Sequence, residues 1–343
     1  MEVSTRATTS SMDLSTMFTA MIEKFKEVEE SSRANNENME AKLQENSRAN
    51  NEKLLAEVKE LASTLSLLAS GSFQYAVGND YLIGMSQSTI SKMVTRVAKE
   101  MEVKLCPNLI KFDPEQSNEC METFMRKYKI PGVIGCIDGT HIGLQKPSDN
   151  EHMFFNRKGF HSLNSMVVNF LRICFLKLTY YDHEYKLLAI NSKYGGAAHD
   201  SFVWKHSNER DLLEDLSNNK KPKNSWLLGD SGYPLEPWCI TPYRNPAEGL
   251  METHFNEVHS KARCIVERSI GIFKARWKVL SNDKRSRYCP QKIALLANAC
   301  AALHNICIKF KVDQYTVISV TESTQIEVDV GAETNVTRIG SKK

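Results

Sequence analysis

The sequence predicts a mixed α/β domain that follows a long helical arm, and three observations lead to this fold class. Residues 14 to about 69 contain no Pro or Gly and are rich in Glu, Lys, Asn and Leu. Short apolar runs in the middle of the chain predict strands. Longer amphipathic runs after them predict helices, and strands followed by helices indicate a sheet covered by helices.

The arm, residues 1–70, carries apolar residues in steps of four and three, which is the seam of a coiled coil. A six-residue repeat, 32–37 and 47–52, has an offset of fifteen residues and loosens the seam in the middle. We expect a self-associating coiled coil, and the alternative is a lone, partly disordered polar helix. The seam residues are Leu14, Phe18, Met21, Phe25, Val28, Leu54, Val58, Leu61, Leu65 and Leu68.

Residues 71–128 contain the pattern of a helix-turn-helix. Gly84 predicts a turn and Ser86 an N-cap, followed by an amphipathic helix. Its outward face would present short donors and acceptors suited to base edges or phosphates. Those candidate DNA contacts are Gln87, Ser88, Ser91 and Lys92. An ordinary capped core helix explains the same pattern equally well.

Residues 129–310 carry the α/β pattern itself. Apolar runs predict strands at 130–142, 165–178, 186–192 and 225–228, and helical periodicity covers 257–280 and 290–310. Beyond residue 311 the chain is polar and predicts a loose tail.

Composition narrows the functional classes. No run of eighteen apolar residues and no secretory signal pattern is present, so we expect no membrane association. The nine cysteines lack Cys-x-x-Cys spacing and indicate a reducing compartment, nucleus or cytosol. Residues 1–70 have eight Lys and Arg against twelve Asp and Glu, a net charge of −4. Because the whole chain has a net charge of +3, residues 71–343 have a net charge of +7. A basic body permits nucleic-acid binding without requiring it.

Three carboxylates stand where a phosphodiester-cleaving site needs them. Asp138 is expected at the end of an apolar strand, Asp230 follows another, and Glu267 lies inside a long helix. Oxygen ligands suit Mg²⁺ or Mn²⁺, and two such cations about 4 Å apart activate a water and stabilise the leaving oxygen. The sequence therefore predicts a metal-dependent catalytic site.

Each carboxylate also has a structural explanation. Asp138-Gly139 could be a type I′ hairpin turn, and Asp230-Ser231-Gly232 could be a polar turn that ends a strand. Glu267 could be a solvated helix residue paired with Arg263 four positions earlier. The mid-helix Gly271 beside Glu267 favours a close approach of backbone or phosphate there.

Five segments in one order are more specific than any single residue. They are 133–142 (VIGCIDGTHI), 156–164 (NRKGFHSLN), 199–201 (HDS), 228–235 (LGDSGYPL) and 266–274 (VERSIGIFK). Together they resemble the PIF/Harbinger superfamily of DDE transposases and the Harbinger-derived nuclease of animals, over residues 72 to 310. The resemblance implies an RNase H-like fold, an upstream helix-turn-helix, and a divalent metal at Asp138, Asp230 and Glu267. It also makes Asp200 an auxiliary metal ligand or a structural residue.

Basic residues near the motifs are candidate DNA contacts. Asn156, Arg157 and Lys158 are assigned by charge and by the resemblance, against a plain surface loop. Arg268 and Lys274 place positive charge on the helix that carries Glu267, where DNA phosphates would lie, and a solvated face is the alternative.

The sequence departs from the family pattern in two places. About a dozen extra residues, 169–180, precede Tyr181, as an insertion or an unspliced intron, and they put activity in doubt. The coiled-coil arm also replaces the longer helical region usual for the family, so the helix-turn-helix could be incomplete.

The leading interpretation is a DNA endonuclease or transposase, with strand transfer as a further step. The alternative is an inactive, domesticated transposase that binds DNA or proteins, and a ribonuclease is not distinguished by these residues. The resemblance implies DNA and a Myb-like DNA-binding protein as partners. The coiled-coil seam predicts a homo-oligomer through the arm, and the composition predicts a location in the nucleus or also in the cytoplasm.

Overall fold

The computed structural model describes residues 14–80, 83–173, 183–219, 224–247, 249–282 and 285–312. The chain divides into two compact units, residues 1–59 and 60–343. The four-part division expected from the sequence, with boundaries after 70, 128 and 310, stays a prediction.

Helix α1, Leu14–Ser70, is continuous through the predicted arm. The helical prediction is confirmed, because a run without Pro or Gly leaves every backbone hydrogen bond of the helix available. Leu54 and Val58 of the expected seam are exposed in this single chain. Association of this helix with a second copy is not tested by the single chain and stays a prediction.

The last turns of α1 belong to the second unit and enter its core. Leu67 and Leu68 are fully buried there. The helix ends at Ser70 because Gly71 adopts the left-handed conformation with φ +60°, which favours glycine.

Four short to medium helices follow: α2, Gln74–Gly78; α3, Gln87–Lys104; α4, Cys106–Leu109; and α5, Asn118–Tyr128. The Ser86 side chain caps α3 by accepting a hydrogen bond from the Thr89 N–H at 3.2 Å, as the sequence predicts. Ile90 and Val94 are buried on its inner face. The capped amphipathic helix is confirmed, and a helix-turn-helix that reads DNA stays a prediction because α2 has only five residues.

Five strands form one mixed sheet with the order β3-β2-β1-β4-β5. They are β1, Val133–Gly143; β2, Ser162–Ile173; β3, His183–Gly195; β4, Trp226–Leu228; and β5, Cys239–Ile240. Strand β1 is central and pairs antiparallel with β2 and parallel with β4.

The strand expected at 130–142 is confirmed as β1, and Asp138 lies within it and not at its end. Asp138 and Gly139 pair with Val167 and Met166 in an unbroken ladder, which also excludes the hairpin-turn alternative. The two-residue strand β5 has no counterpart among the predicted strands because it is too short to show periodicity.

Helices cover both faces of the sheet. They are α6, Asp200–Lys205; α7, Asn208–Asn218; α8, Met251–Arg276; and α9, Pro290–Lys309. Cys136 and Leu228 pack with Val266 of α8, whereas Ile137 and Met166 pack with Trp204 of α6. Side chains alternate between the faces of a strand, so from Cys136 onward the even-numbered residues of β1 point toward α8 and the odd-numbered ones toward α6. Before Cys136 a register shift reverses this order, and Ile134 packs with Trp204. This mixed sheet flanked by helices confirms the α/β fold class.

The extra segment 169–180 begins within β2 and extends a hairpin. Phe170–Ile173 continues the antiparallel pairing, with Ile173 opposite His183, and Asn169 still pairs with Cys136 of β1. The rest of the segment, from 174, lies outside the described residues, as does the expected tail from 313 onward. In its described part, the insertion therefore leaves the pairing of β1 intact.

None of the helices that the structure describes combines the length and the hydropathy of a membrane span.

Candidate active site

Asp138 lies within β1, and Asp230 lies in the turn that follows the adjacent parallel strand β4, two residues after its end. Cys136 of β1 is in register with Leu228 of β4, and each aspartate follows two residues later. Neighbouring strands are about 4.8 Å apart, so this register brings the two residues side by side. Two positions 92 residues apart in the chain therefore meet because β1 and β4 run parallel.

The Asp138 carboxylate is largely buried and has two partners. Its Oδ1 accepts a hydrogen bond from the Gly139 N–H at 2.9 Å. Its Oδ2 lies 3.3 Å from the Arg263 guanidinium of α8, where the two side chains are 18% and 12% exposed. Burial raises the pKa of Asp138 to about 6, Arg263 opposes that rise, and the charges of Asp230 and Asp200 add to it. Asp138 is thus a carboxylate whose negative charge is only partly compensated.

Asp230 sits in a tight turn directly after β4. Its Oδ1 accepts a hydrogen bond from the Gly232 N–H at 2.9 Å, and its carbonyl accepts one from the Tyr233 N–H at 3.1 Å. This is the polar turn that the sequence offers as the structural alternative. The turn and a ligand role are compatible because Oδ2 takes no part in these bonds.

Glu267 lies on the stripe of α8 that faces β1. Arg263, one turn earlier, pairs with Asp138, and Lys274, two turns later, donates a hydrogen bond to the His141 carbonyl of β1. Residues spaced by four and seven share one side of a helix, so Glu267 lies between two residues that both reach this strand. Glu267 itself is exposed, and a Cβ on Gly271 would meet nothing within 4 Å. The close approach expected at Gly271 is therefore not made by the chain, and the space beside Glu267 is open.

The three expected carboxylates do not form a ready metal cluster. Among the described residues, no group of three or more His, Cys, Asp or Glu side chains is arranged to hold a metal ion. The positively charged Arg263 guanidinium lies beside Asp138, where a metal cation would bind. The donor chemistry nevertheless fits a hard divalent cation, because Asp138 and Asp230 supply oxygen ligands and the charge of Asp230 raises the Asp138 pKa.

Asp200, the expected auxiliary ligand, lies on the other face of β1. A Cβ built on Gly139 would overlap the Asp200 carboxylate, and residue 139 points toward α6 whereas residue 138 points toward α8. The Asn164 side chain donates a hydrogen bond to Asp200 Oδ1 at 2.8 Å. This position argues against metal ligation together with Asp138 and favours the structural role that the sequence left open.

The loop before β2 brings positive charge to the edge of the site. Lys158 lowers the pKa of both His141 and Lys274, although burial is the larger cause for each. Burial brings the pKa of Lys274 to about 8. Arg157 and Lys158 are exposed, so both are available to phosphates.

Asn156 does not share this role. Its side chain is buried, donates a hydrogen bond to Ser162 Oγ at 2.7 Å and accepts one from the Lys158 N–H at 2.9 Å. The expected DNA contact is therefore corrected to a residue that shapes the loop.

The remaining candidate contacts lie apart from the aspartates. Arg268 donates a hydrogen bond to the Tyr185 hydroxyl at 3.3 Å, on a different side of α8 from Glu267. On α3, Gln87, Ser88 and Lys92 are exposed. Ser91 is half-buried and its Oγ lies 3.3 Å from the Lys292 amine, which corrects its assignment to the outward face.

Two residues of the site were missed by the sequence analysis. Arg263 was considered only as a partner of Glu267, although helical spacing places it on the same stripe and could have shown that it faces the site. Tyr233 is 3% exposed, and its hydroxyl has no hydrogen-bond partner among the described residues. Burial is the main cause that raises the pKa of Tyr233, and the charges of Asp200, Asp138 and Asp230 raise it further. Tyr233 lies within the segment 228–235 that carries the family resemblance, but nothing in that pattern assigns it a role in the site.

Comparison with known proteins identifies the family of this chain. Residues 137–305 match the family model described as DDE superfamily endonuclease. The protein named "Putative nuclease HARBI1" of Rattus norvegicus is 30% identical over 260 residues, covering 75% of this chain and 69% of the rat protein. The Xenopus laevis protein of the same name is 29% identical over 271 residues, covering 78% and 72%. "Protein ALP1-like" of Arabidopsis thaliana is 28% identical over 262 residues, covering 72% of this chain and 60% of the plant protein.

The fold and the match define a nuclease-type protein of the DDE superfamily. The chain belongs to the family of Harbinger-derived nucleases that includes HARBI1. No solved structure matches the chain.

Proposed function

We propose that this chain is a divalent-metal-dependent endonuclease that hydrolyses DNA phosphodiester bonds, with Asp138, Asp230 and Glu267 as its catalytic carboxylates. The observation that carries the proposal is the register of β1 and β4, which aligns Asp138 with Asp230. Membership of a family whose relatives carry the name nuclease supports it.

Asp138 and Asp230 would hold the cation, Mg²⁺ or Mn²⁺, and Glu267 would complete the ligand set from α8. Such a cation supplies Lewis-acid stabilisation of the phosphate oxygens and a nucleophilic water at neutral pH. The chain positions these carboxylates on a paired strand, a tight turn and a long helix, which are rigid supports.

Arg263 would bind a DNA phosphate beside the carboxylates. Its guanidinium lies 3.3 Å from Asp138 Oδ2 and compensates the charge of that carboxylate. If Asp138 held a cation, this compensation would no longer be needed, and the planar guanidinium has the fork geometry that suits a phosphate.

Arg157, Lys158 and Lys274 would bind the phosphates on either side of the cleaved bond. Arg157 and Lys158 are exposed, and Lys274 is held at the His141 carbonyl. Contacts to phosphates position the DNA without reading its sequence. On α3, Gln87, Ser88 and Lys92 would contact DNA further from the site, and Arg268 would add charge on its other side.

The test is nicking of supercoiled DNA by the purified full chain with Mg²⁺, with Mn²⁺ and with EDTA. We expect nicking only with a divalent cation, and loss of nicking in Asp230→Asn because an amide is a weaker ligand than a carboxylate. The matched control is Asp149→Asn, an exposed aspartate in the loop after β1, which should nick like the wild type. Undiminished cutting by folded Asp230→Asn would refute the assignment of the site.

A second function is supported by a specific observation. Asp138 is already paired with Arg263, and no metal-binding group is assembled among the described residues. A domesticated transposase that binds DNA without cutting it would keep such an arrangement. Metal-independent DNA binding without nicking, by a well-folded preparation, would favour this function over the nuclease.

Partners and location are proposed from the sequence. We propose that the α1 helices of two or more copies pair along their apolar seam, since Leu54 and Val58 are exposed in the single chain. Light scattering of the full chain tests this, with Leu54→Glu as the disruptive variant. A Myb-like DNA-binding partner and strand transfer are further proposals that follow from the family resemblance, and a nuclear location is one that follows from the composition.

A further inference from the structure

A groove with three basic side chains and an exposed aromatic ring lies beyond the far end of β1. It has a volume of about 150 Å³ and lies between the turn after α1 and the segment before α9. The residues that matter are Phe73, Gln74, Gln87, Lys278, Arg285 and Arg287, and we refer to them as the Phe73 groove. None of the described residues that line it is acidic.

The Phe73 ring is presented to solvent by a built turn. It is 62% exposed, and the Arg287 guanidinium lies over it, 5.1 Å from the ring centroid. Gly71 fixes the turn, because its φ is +60° and a Cβ there would lie 2.8 Å from the Lys278 carbonyl. The ring is thus held in place although it contacts little of the chain.

The wall of the groove also contains two polar side chains. Gln74 is 9% exposed, and it forms a hydrogen bond with Tyr288, which also lines the groove. These two side chains support the groove, and Phe73 and the basic side chains are the groups available to a ligand.

A set of contacts joins the groove to His141, which lies three residues after Asp138 on β1. The His141 ring is 6.2 Å from the Phe160 ring, and the Arg285 guanidinium lies 5.8 Å from the centroid of Phe160. The Ser286 N–H donates a hydrogen bond to the carbonyl of Gly143, the last residue of β1, at 3.0 Å. Arg287, the residue after Ser286, therefore lies close to the end of β1. The five steps from Asp138 to Gly143 cover about 17 Å of strand.

We propose that the Phe73 groove binds a DNA strand that leads away from the cleaved bond, with one base stacked on Phe73 and phosphates on Lys278, Arg285 and Arg287. The proposal rests on the proposed nuclease function for the identity of its ligand. Stacking on an aromatic ring beside an arginine, within a basic groove, is the way single-stranded nucleic acid is bound without sequence preference.

The test is fluorescence anisotropy of the full chain in EDTA, where no cleavage occurs. The probe is a labelled DNA duplex with a ten-nucleotide single-stranded overhang. We expect about tenfold weaker binding for Phe73→Ala, retained binding for Phe73→Trp, and a several-fold loss with a smaller salt dependence for Arg287→Gln. Because Phe73 is exposed, its replacement should leave the melting temperature unchanged.

Matched controls separate the groove from general charge and exposed aromatic surface. Tyr75→Ala removes an exposed ring two residues away, and Lys111→Ala removes an exposed charge after α4; both should bind like the wild type. Wild-type affinity in both Phe73→Ala and Arg287→Gln would overturn the proposal, as would an equal loss in Tyr75→Ala. This measurement is independent of nicking, so failure of the nuclease function alone leaves the groove testable by binding.

Discussion

One carboxylate lies on each face of β1, and the two carboxylates have different partners. On the α8 face, Asp138 is paired with the Arg263 guanidinium beside the open space at Gly271. On the α6 face, Asp200 accepts a hydrogen bond from the Asn164 amide, next to a packed core that includes Trp204.

The difference separates a replaceable partner from a fixed one. The Arg263 guanidinium is at the end of a long, flexible side chain and can move away when another cation binds Asp138. The Asn164 amide is on a short side chain of a paired strand, so its position is fixed by the sheet. The α8 face therefore has the properties of a reactive site, and the α6 face those of its support. Each prediction below alters one of the two faces.

The largest effect is expected for Arg263→Ala in EDTA at pH 8. Removing one partner of a largely buried ion pair leaves an uncompensated carboxylate, which costs about 3 kcal/mol or more of unfolding free energy. The same variant should bind Mn²⁺ more tightly, because Asp138 no longer has a competing cation. Urea unfolding and calorimetric titration measure the two effects.

The control for this variant is Lys261→Ala, which removes an exposed charge from the same helix. It should change the unfolding free energy by less than about 0.5 kcal/mol. Equal metal affinity in wild type and Arg263→Ala would show that Arg263 does not compete for Asp138.

The next effect is a dependence of stability on pH. The Asp138 pKa is raised to about 6, so the folded chain binds this proton more tightly than the unfolded chain does. Its contribution to stability is complete below pH 4 and is lost as the pH rises through about 6, by about 3 kcal/mol in total. Urea unfolding in EDTA between pH 4 and pH 7.5 measures the loss.

In Asp138→Asn this loss should be absent, because the amide does not titrate. Added Mn²⁺ should reduce it in the wild type, because the cation stabilises the ionised carboxylate. A wild-type and an Asp138→Asn profile of the same slope would mean that another group causes the pH dependence.

A smaller effect distinguishes two glycines on opposite sides of the site. In Gly139→Ala the new Cβ would overlap the Asp200 carboxylate, which must shift away from Asn164, so we expect a loss of about 2 kcal/mol. Gly271→Ala is the matched control: its Cβ meets nothing, and alanine in a helix should add about 0.5 to 1 kcal/mol. Thermal unfolding of both variants tests this, and a Gly139→Ala variant as stable as wild type would mean that Asp200 is not confined.

The sequence predicts the elements of this site better than their contacts. Apolar runs identify β1 and β4, and helical periodicity identifies α8, because those patterns are local. The apolar run at 130–142 also predicts that β1 continues beyond Asp138. Asp-Gly is a common turn pair, however, and only the ladder with β2 decides between a strand and a hairpin turn at this point. The pairing of Arg263 with Asp138 spans 125 positions, so the local rule that pairs residues four apart on a helix selected Glu267 instead.

The smallest effect is expected at Tyr233, which lies between the two faces. Its buried hydroxyl has no hydrogen-bond partner among the described residues, so Tyr233→Phe removes an unsatisfied polar group. We expect the metal-free protein to gain up to about 1 kcal/mol of unfolding free energy. Trp204→Phe is the control, because the Trp204 indole N–H donates a hydrogen bond to Glu236 at 2.8 Å and its loss should destabilise. A destabilised Tyr233→Phe would mean that the hydroxyl has a partner, and a loss confined to the metal-bound protein would place that partner among the carboxylates on the α8 face.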